Sequence, residues 1–237
     1  MRRALLLAAA CVALSAVAEA QPVSLSVGGG VLFQDQAFTT TTGFSEYFEP
    51  ATAEGTYGGG EGPALEVGVG IGLGGRWSIV SGASFFSRSS SVPVQSAVPH
   101  PLHFAQPRLV DHVTPDVNRR ELMLRAELAW AVPLVSRLVL SVSGGPALIN
   151  LRQDLVDTVT IREGTYPFDE VELMPRLATT SGWGLGGTAA LGLAWSATER
   201  VGLSVTGRFS RANLSVADAD LHAGGRSVVA GVTLRLR

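Results

Sequence analysis

Apolar residues alternate with glycine, serine or single charged residues in about eight segments of this chain. Residues 63–73 show the pattern best. From Leu65 to Leu73 the odd-numbered positions are leucine, valine or isoleucine, and the even-numbered positions are glutamate or glycine. Successive side chains of a strand point to opposite faces, so each segment has one apolar face and one small or polar face. The alternation predicts an all-β protein.

The segments are joined by connections of two kinds. The predicted strands are residues 23–33, 63–73, 77–88, 119–132, 137–150, 183–195, 201–214 and 225–237. Each is close to or above the roughly 9–11 residues that a tilted strand needs to cross a bilayer. Residues 74–76, 133–136 and 196–200 are predicted to be short turns, and residues 34–62, 89–118, 151–182 and 215–224 to be long loops. Long loops on one side and short turns on the other are typical of outer-membrane barrels.

The resulting prediction is an antiparallel up-and-down transmembrane β-barrel of about eight strands, whose apolar face contacts lipid. Val69, Leu191 and Leu203 should then face outward, and Gly68 and Gly192 inward. The alternative is a soluble, secreted, lipocalin-like binding barrel, in which the apolar face would be inside. We disfavour it because small and polar residues occupy the opposite face of the first and sixth strands, and a water-soluble barrel would then lack a polar surface.

The first residues have the features of a signal peptide. Arg2 and Arg3 precede an apolar run, and residues 18–20 form a small-x-small cleavage site. We therefore predict a signal peptide at residues 1–20 and a single barrel domain at residues 21–237. A lipoprotein signal cleaved before Cys11 is the alternative. No later stretch approaches the roughly 18 apolar residues of a transmembrane helix.

The charges are few and unevenly distributed. The chain has 18 basic residues, all of them arginine, and 20 acidic ones, for a net charge of −2. This balance argues against a nucleic-acid partner, since such proteins carry a basic patch. After residue 20, only Glu66, Glu121, Glu127 and Glu199 lie outside the four predicted long loops. Segments that cross hydrocarbon avoid charges on their outer face, so this distribution fits the membrane prediction.

Aromatic residues lie near the ends of the predicted strands. Trp77, Trp130 and Trp195 are each beside a predicted short turn, while Trp183 and Phe85 lie toward the long-loop ends. Indole rings favour the boundary between lipid and water. We predict that these five residues form aromatic girdles at the two membrane surfaces.

Several charged residues fall on the predicted inner face. They are Glu66, Glu121, Arg125, Glu127, Arg208 and Arg235. Small barrels have interiors that side chains can fill, and buried charges are tolerated when they are paired. We predict that these groups form an interior salt-bridge network that plugs the barrel. A gated, narrow ion path is the alternative.

With this alternation and connectivity from Val23 to Arg237, the chain resembles the eight-stranded outer-membrane barrel superfamily. That group contains the transmembrane domain of outer-membrane protein A and the opacity-type proteins. The resemblance implies an outer-membrane location with periplasmic termini. It also implies partners in outer-membrane lipid and lipopolysaccharide, and in the barrel-assembly machinery during biogenesis. The chain departs from the family at its end, where residues 232–237 keep the alternation but lack a terminal aromatic residue.

For function, the sequence favours a structural or surface-interaction role without a cofactor. Aromatic and acidic residues in loop 34–62, and acidic residues in loop 151–182, could bind an extracellular ligand or bridge divalent ions to lipopolysaccharide phosphates. Neither loop has a regular calcium-binding pattern, so we predict no metal site. The alternatives are a narrow porin-like channel and a lipid-A-modifying enzyme. We predict no catalysis, because His100, His103, His112 and His222 all lie in predicted long loops.

Overall fold

The computed structural model describes residues 22–216 and 219–236, which form ten antiparallel strands. The strands are β1 (Val23–Gln34), β2 (Phe38–Glu46), β3 (Glu49–Tyr57), β4 (Gly60–Gly74), β5 (Trp77–Val98), β6 (Arg108–Val135), β7 (Leu138–Glu163), β8 (Val171–Ser196), β9 (Val201–Val216) and β10 (Ala219–Leu236). The predicted signal peptide lies outside the described residues. Among those described, no helix has the length and apolar character needed to span a membrane.

Eight of the ten strands close into a ring. β1 pairs with β4, and pairing then continues in chain order from β4 to β10, which pairs with β1. Paired residues can be followed from strand to strand once around the ring. A row that starts at Thr233 of β10 passes through Arg125 and Gly186 and returns to β10 at Ala223, ten residues from its start. This stagger means that the strands are tilted, as barrel closure requires. The predicted eight-stranded up-and-down barrel is confirmed.

The two faces of the wall are arranged as predicted. Val69 is 40% exposed on the outside, and the neighbouring Gly68 is buried inside. Leu191 and Leu203 are likewise exposed, whereas Gly192 is buried. The apolar face therefore points outward and the small and polar face points inward, the reverse of a soluble barrel core.

The connections divide the barrel into two ends. The short connections, residues 75–76, 136–137 and 197–200, lie at one end, which we call the turn end. The other end, which we call the loop end, carries much more regular structure than the sequence predicted. β8, for example, extends from Trp183 back to Val171, which adds roughly 40 Å of strand at about 3.3 Å per residue.

The prediction that residues 34–62, 89–118 and 151–182 are loops is wrong, and all the described residues of the fourth predicted loop, 215–224, belong to strands β9 and β10. The first contains the β2–β3 hairpin, which pairs with the far part of β5, and the second and third are mainly continuations of β5, β6, β7 and β8. We call this part the extension and define it as residues 38–57, 92–117 and 154–179. Most of its outward residues are polar, with exceptions such as the exposed Leu109 and Val113, and this polarity gave the sequence a loop-like composition.

The extension has its own apolar core. Buried side chains from β3, β5, β6, β7 and β8 meet in its centre, and Phe38 and Phe44 of β2 pack against them. The core consists of Ala53, Tyr57, Val92, Val94, Val98, Val117, Leu155, Val156, Val159 and Leu173. Two hydrogen bonds tie the hairpin to β7, from the Val156 amide to the Tyr57 hydroxyl (2.8 Å) and from the Thr42 hydroxyl to the Val156 carbonyl (2.8 Å). The extension is therefore a packed unit and not a set of free loops.

Candidate functional site

Four charged side chains meet in the barrel interior, and we call them the central cluster: Glu66 of β4, Arg125 and Glu127 of β6, and Arg208 of β9. Arg125 forms an ion pair with Glu66, and its Nε lies 3.7 Å from Glu127 Oε1. Arg208 donates to Glu127, and its Nη2 lies 3.3 Å from Glu66 Oε1. The cluster is formally neutral and links strands on opposite sides of the barrel.

Hydroxyl groups complete the surroundings of Glu127. Ser143 donates to its Oε2 at 3.0 Å, and Thr188 donates to its Oε1 at 3.2 Å. Several guanidinium nitrogens are not satisfied in this way: Nε and Nη1 of Arg125, and Nε of Arg208, are buried without a hydrogen-bond partner in the described structure. Buried donors of this kind are usually satisfied by ordered water.

A polar cavity adjoins the central cluster on the side of the turn end. Its volume is about 200 Å³, and hydroxyl side chains including Ser24, Ser26, Ser141 and Thr206 line it together with the cluster. Such a volume and lining suit several water molecules. The cavity therefore offers hydration to the buried arginine groups.

A second polar group lies nearer to the loop end. Glu121 accepts hydrogen bonds from Arg119 Nη2 (2.7 Å), from Gln34 Nε2 (2.6 Å) and from the Gly224 amide (3.0 Å). Glu121 is thus saturated by its own partners and does not join the central cluster. Sequence reasoning missed Arg119 and Gln34, although both occupy inward positions in the alternation of β6 and β1.

Arg235 is separate from both groups. It is exposed near the turn end, where its Nη2 donates to the Ser196 hydroxyl at 3.0 Å. Of the six residues predicted for the interior network, the structure brings together Glu66, Arg125, Glu127 and Arg208. It places Glu121 in a neighbouring layer and Arg235 at the rim.

The inward side chains of β6 show how the interior is filled from the turn end toward the loop end. Glu127 and Arg125 come first, then the apolar Met123, then Glu121, and finally Val117 in the core of the extension. At the level of Met123, side chains from β7, β9 and β10 complete an apolar layer. These include Ala147, Ile149, Leu151, Ala212, Leu214, Leu221 and Ala223. Polar and apolar layers therefore alternate along the barrel axis.

The predicted girdle residues all lie on the outer wall. Trp77 stands directly opposite Trp130, and Trp195 opposite Leu138, at the turn end. Trp183 is 55% exposed and lies toward the loop end. From residue 183 to residue 195 a strand tilted by about 45° spans roughly 28 Å, close to the thickness of a hydrocarbon core.

Two further aromatic residues on the outer wall escaped the sequence analysis. Phe33 and Phe209 are exposed on either side of Arg226 in one row of paired residues. Phe85, which was predicted, is 46% exposed on β5. The assignment of all these rings to the membrane surfaces stays a prediction.

At the far end of the extension, Arg108 holds together the reversal between β5 and β6 and the reversal between β7 and β8. Its guanidinium donates to both oxygens of Glu163 (2.7 Å each), to the Phe168 carbonyl (2.6 Å) and to the Pro99 carbonyl (2.7 Å). The hydrogen bonds from Arg108 hold the pKa of Glu163 below its usual range. Glu163 also accepts a hydrogen bond from the Tyr47 hydroxyl (2.8 Å). Burial, as the larger cause, and this hydrogen bond together raise the pKa of Tyr47 to about 12.

The outer surface of this far end, which we call the tip, carries three highly exposed aromatic side chains. Phe48, Phe104 and Tyr166 are 106%, 82% and 78% exposed. Each comes from a different chain reversal. The contacts of Arg108 and Tyr47 bring these reversals together. A 3.1 Å hydrogen bond from the Ala105 amide to Glu49 adds a further link. Large aromatic groups exposed in this way commonly mark interaction sites.

The histidines do not form a catalytic arrangement in the described structure. His222 contacts Asn213 Oδ1 (2.8 Å) and Arg211 Nη2 (3.4 Å), and no hydrogen bond joins it to Ser227. His100, expected in a solvated loop, is buried with its ring 4.6 Å from that of His103. In the described ranges, no three histidine, cysteine, aspartate or glutamate residues are grouped as metal ligands would be.

Comparison with known proteins finds similarity in structure only. No family model matches the sequence, and no curated protein matches it. The chain is similar to Neisserial surface protein A (NspA), with 9% identity over 91% of this chain and 97% of that one, and a TM-score of 0.54. The outer membrane protein OprG from Pseudomonas aeruginosa is 8% identical over 92% of this chain and 97% of that one, with a TM-score of 0.48. The outer membrane protease OmpT from Escherichia coli is 11% identical over 91% of this chain and 97% of that one, with a TM-score of 0.45.

At these identities the similarity concerns the fold alone. The closed ring of strands, the outward apolar face and the likeness to NspA agree on one architecture. The chain has the fold of the eight-stranded outer-membrane β-barrels.

Proposed function

We propose that this chain is an integral outer-membrane protein whose closed barrel holds an extracellular interaction surface, and that it is neither an open channel nor an enzyme. The observation that carries this proposal is the filling of the interior. From the central cluster to the core of the extension, polar and apolar layers alternate across the barrel. Apolar layers of this kind oppose ion passage because an ion there would lose its hydration.

The outer wall supports a membrane location. Exposed leucine, valine and aromatic side chains cover it, an arrangement that would aggregate in water and is stable in lipid. In this orientation the turn end and both termini face the periplasm, and the extension projects from the cell.

Cell fractionation with heat-dependent gel mobility tests the membrane location. We expect the protein in the outer-membrane fraction, with a mobility before heating that differs from its mobility after heating. Recovery in the soluble periplasmic fraction would contradict the proposal.

Planar-bilayer conductance tests the closed interior. We expect the purified barrel to show no steady single-channel steps at neutral pH. A narrow porin-like channel would show them. A variant with the apolar layer weakened, Ile149→Ser with Met123→Ser, serves as the comparison, because both side chains belong to the layer that closes the path.

The proposed interaction surface is the tip of the extension. Hydrogen bonds of Arg108, Tyr47 and Glu49 hold the reversals that carry its exposed aromatic residues, so binding would cost little ordering of the chain. The extension contains eleven acidic residues and three arginines. We therefore expect its partner to be a polypeptide that presents apolar and basic side chains together.

Binding of a cationic amphipathic peptide to protein in neutral vesicles tests this surface. We expect Phe48→Ser with Phe104→Ser to weaken binding, because it removes two of the most exposed rings while leaving the frame of Arg108 unchanged. The control is Leu109→Ser, an exposed apolar residue of β6 outside the tip reversals. Equal binding by the tip variant and the parent would refute this role for the tip.

A further inference from the structure

Two arginines stand directly opposite each other on the outer wall, at the border between the lipid-facing part and the extension. Arg120 of β6 pairs with Arg152 of β7 in the strand register. Both side chains are exposed, while the neighbouring Glu121 and Leu151 are buried inside. Arg120 and Arg152 therefore project outward together.

The arginine pair lies immediately above apolar wall. The next outward pair toward the turn end is Leu122 with Asn150, and Asn150 in turn stands opposite Trp183. The pair after that is Leu124 with Leu148. Two residues along a strand are about 6.6 Å, so the guanidinium groups lie at the level where an outer-leaflet headgroup would begin.

No ion-pair contact among the described residues compensates this arrangement. Like charges that face each other across two strands destabilise the pairing, because their Cβ atoms are only about 4.5–5.5 Å apart. Within the described part of the chain, neither arginine makes a hydrogen bond or an ion pair. By contrast, the exposed Arg226 pairs with Asp35 at 2.5 Å, and Arg162 with Glu172 at 3.7 Å.

The nearest candidate carboxylate is already engaged. Asp154 lies two residues beyond Arg152, and its oxygens accept from the Thr179 hydroxyl (2.6 Å) and the Asn118 amide (3.1 Å). The charge of Arg120 acts on Asp154 without an ion-pair contact. The two guanidinium groups thus keep their donors available to an anion from outside the chain.

We propose that Arg120 and Arg152 together bind a phosphate group of an anionic lipid in the outer leaflet, with its acyl chains against Leu122, Leu148 and Trp183. A guanidinium group donates two parallel hydrogen bonds to a phosphate, and two such groups side by side can share one phosphate or bind neighbouring ones. The phosphate removes the repulsion between the arginines, and the adjacent wall selects a lipid over a free phosphate ion. The site rests on the proposed membrane location and adds a specific lipid partner to it.

Native mass spectrometry of the folded protein in detergent, with bis-phosphorylated lipid A as the probe, tests the site. We expect the parent to retain lipid A, and Arg120→Gln with Arg152→Gln to bind it at least about tenfold more weakly, since charged hydrogen bonds are lost. The matched control is Arg76→Gln with Arg137→Gln, which removes two arginines from the short turns and should bind like the parent. Each single arginine variant should lose part of the affinity, which keeps the test valid if the double variant does not fold.

Lipid A without phosphate and inorganic phosphate alone identify the source of the anion. We expect the first to bind the parent weakly and the second to compete only at much higher concentration. Unchanged lipid A binding by the double variant would overturn the site, and inorganic phosphate binding as tightly as lipid A would overturn its assignment to a lipid. Failure of the protein to fractionate with the outer membrane would instead refute the proposed function, so the two failures are distinguishable.

Discussion

Neutralising Glu127 is the sharpest test of the interior charges. Glu127→Gln keeps the shape of the side chain and removes its charge. Arg125 and Arg208 would then share Glu66 as their one remaining carboxylate, and the central cluster would carry a net positive charge. Glu127 itself is 3% exposed, so this charge would remain inside the barrel.

The expected cost follows from the burial of the cluster. Breaking a buried ion pair by removing one partner costs about 3–5 kcal/mol, since an uncompensated charge remains. The polar cavity of about 200 Å³ lies beside the cluster and can hydrate part of that charge. We therefore expect a loss near the lower limit, about 3 kcal/mol in the free energy of unfolding. Glu127→Gln combined with Arg208→Met removes both charges of one ion pair and should cost less than the single change.

The measurement is urea unfolding in lipid vesicles, with the folded fraction read from gel mobility before heating. The control is Glu61→Gln on β4, which neutralises an exposed glutamate and should change stability by less than about 0.5 kcal/mol. If Glu127→Gln were as stable as the parent, or if the double variant were less stable than the single one, the central cluster would not act as a paired unit.

Three further predictions address the wall, the extension and the tip. Val69→Arg should impair insertion into vesicles by about 2–4 kcal/mol, the cost of a midplane charge on the lipid face, while Val69→Leu should insert normally. Free labelling of Val69→Cys by a water-soluble thiol reagent would contradict the assignment of faces. Tyr57→Phe removes the 2.8 Å hydrogen bond to the Val156 amide, so we expect faster hydrogen exchange in the β2–β3 hairpin with unchanged barrel mobility on gels. The hydrogen bonds from Arg108 lower the pKa of Glu163 in the folded state. They therefore stabilise the tip fully at pH values above the unfolded-state pKa of about 4.3. This stabilisation is lost as the pH falls through the lower pKa of the folded state. Hydrogen-exchange protection of residues 163–170 should therefore decrease at acidic pH in the parent, and a pH-independent result that matched Arg108→Gln would refute the role of this pair.

The sequence by itself determined the faces of the barrel wall. Side chains alternate strictly along a strand, so Val69 and Gly68 had to lie on opposite faces whatever the rest of the chain did. The short turns and the apolar outer face then determined an up-and-down barrel with its strands in chain order. The inward direction of Glu66, Arg125, Glu127 and Arg208 followed from the same rule.

Only the tertiary structure decided which inward charges meet. Closure with a stagger of ten residues brings Arg208 of β9 to Glu127 of β6 and leaves Arg235 at the rim, and no local pattern specifies that stagger. The sequence did not predict the strands of the extension, for a different reason. Its strands turn a polar face to water and an apolar face to a core built from distant segments, so Val94 and Val156 acquire a common environment only when the sheet has closed.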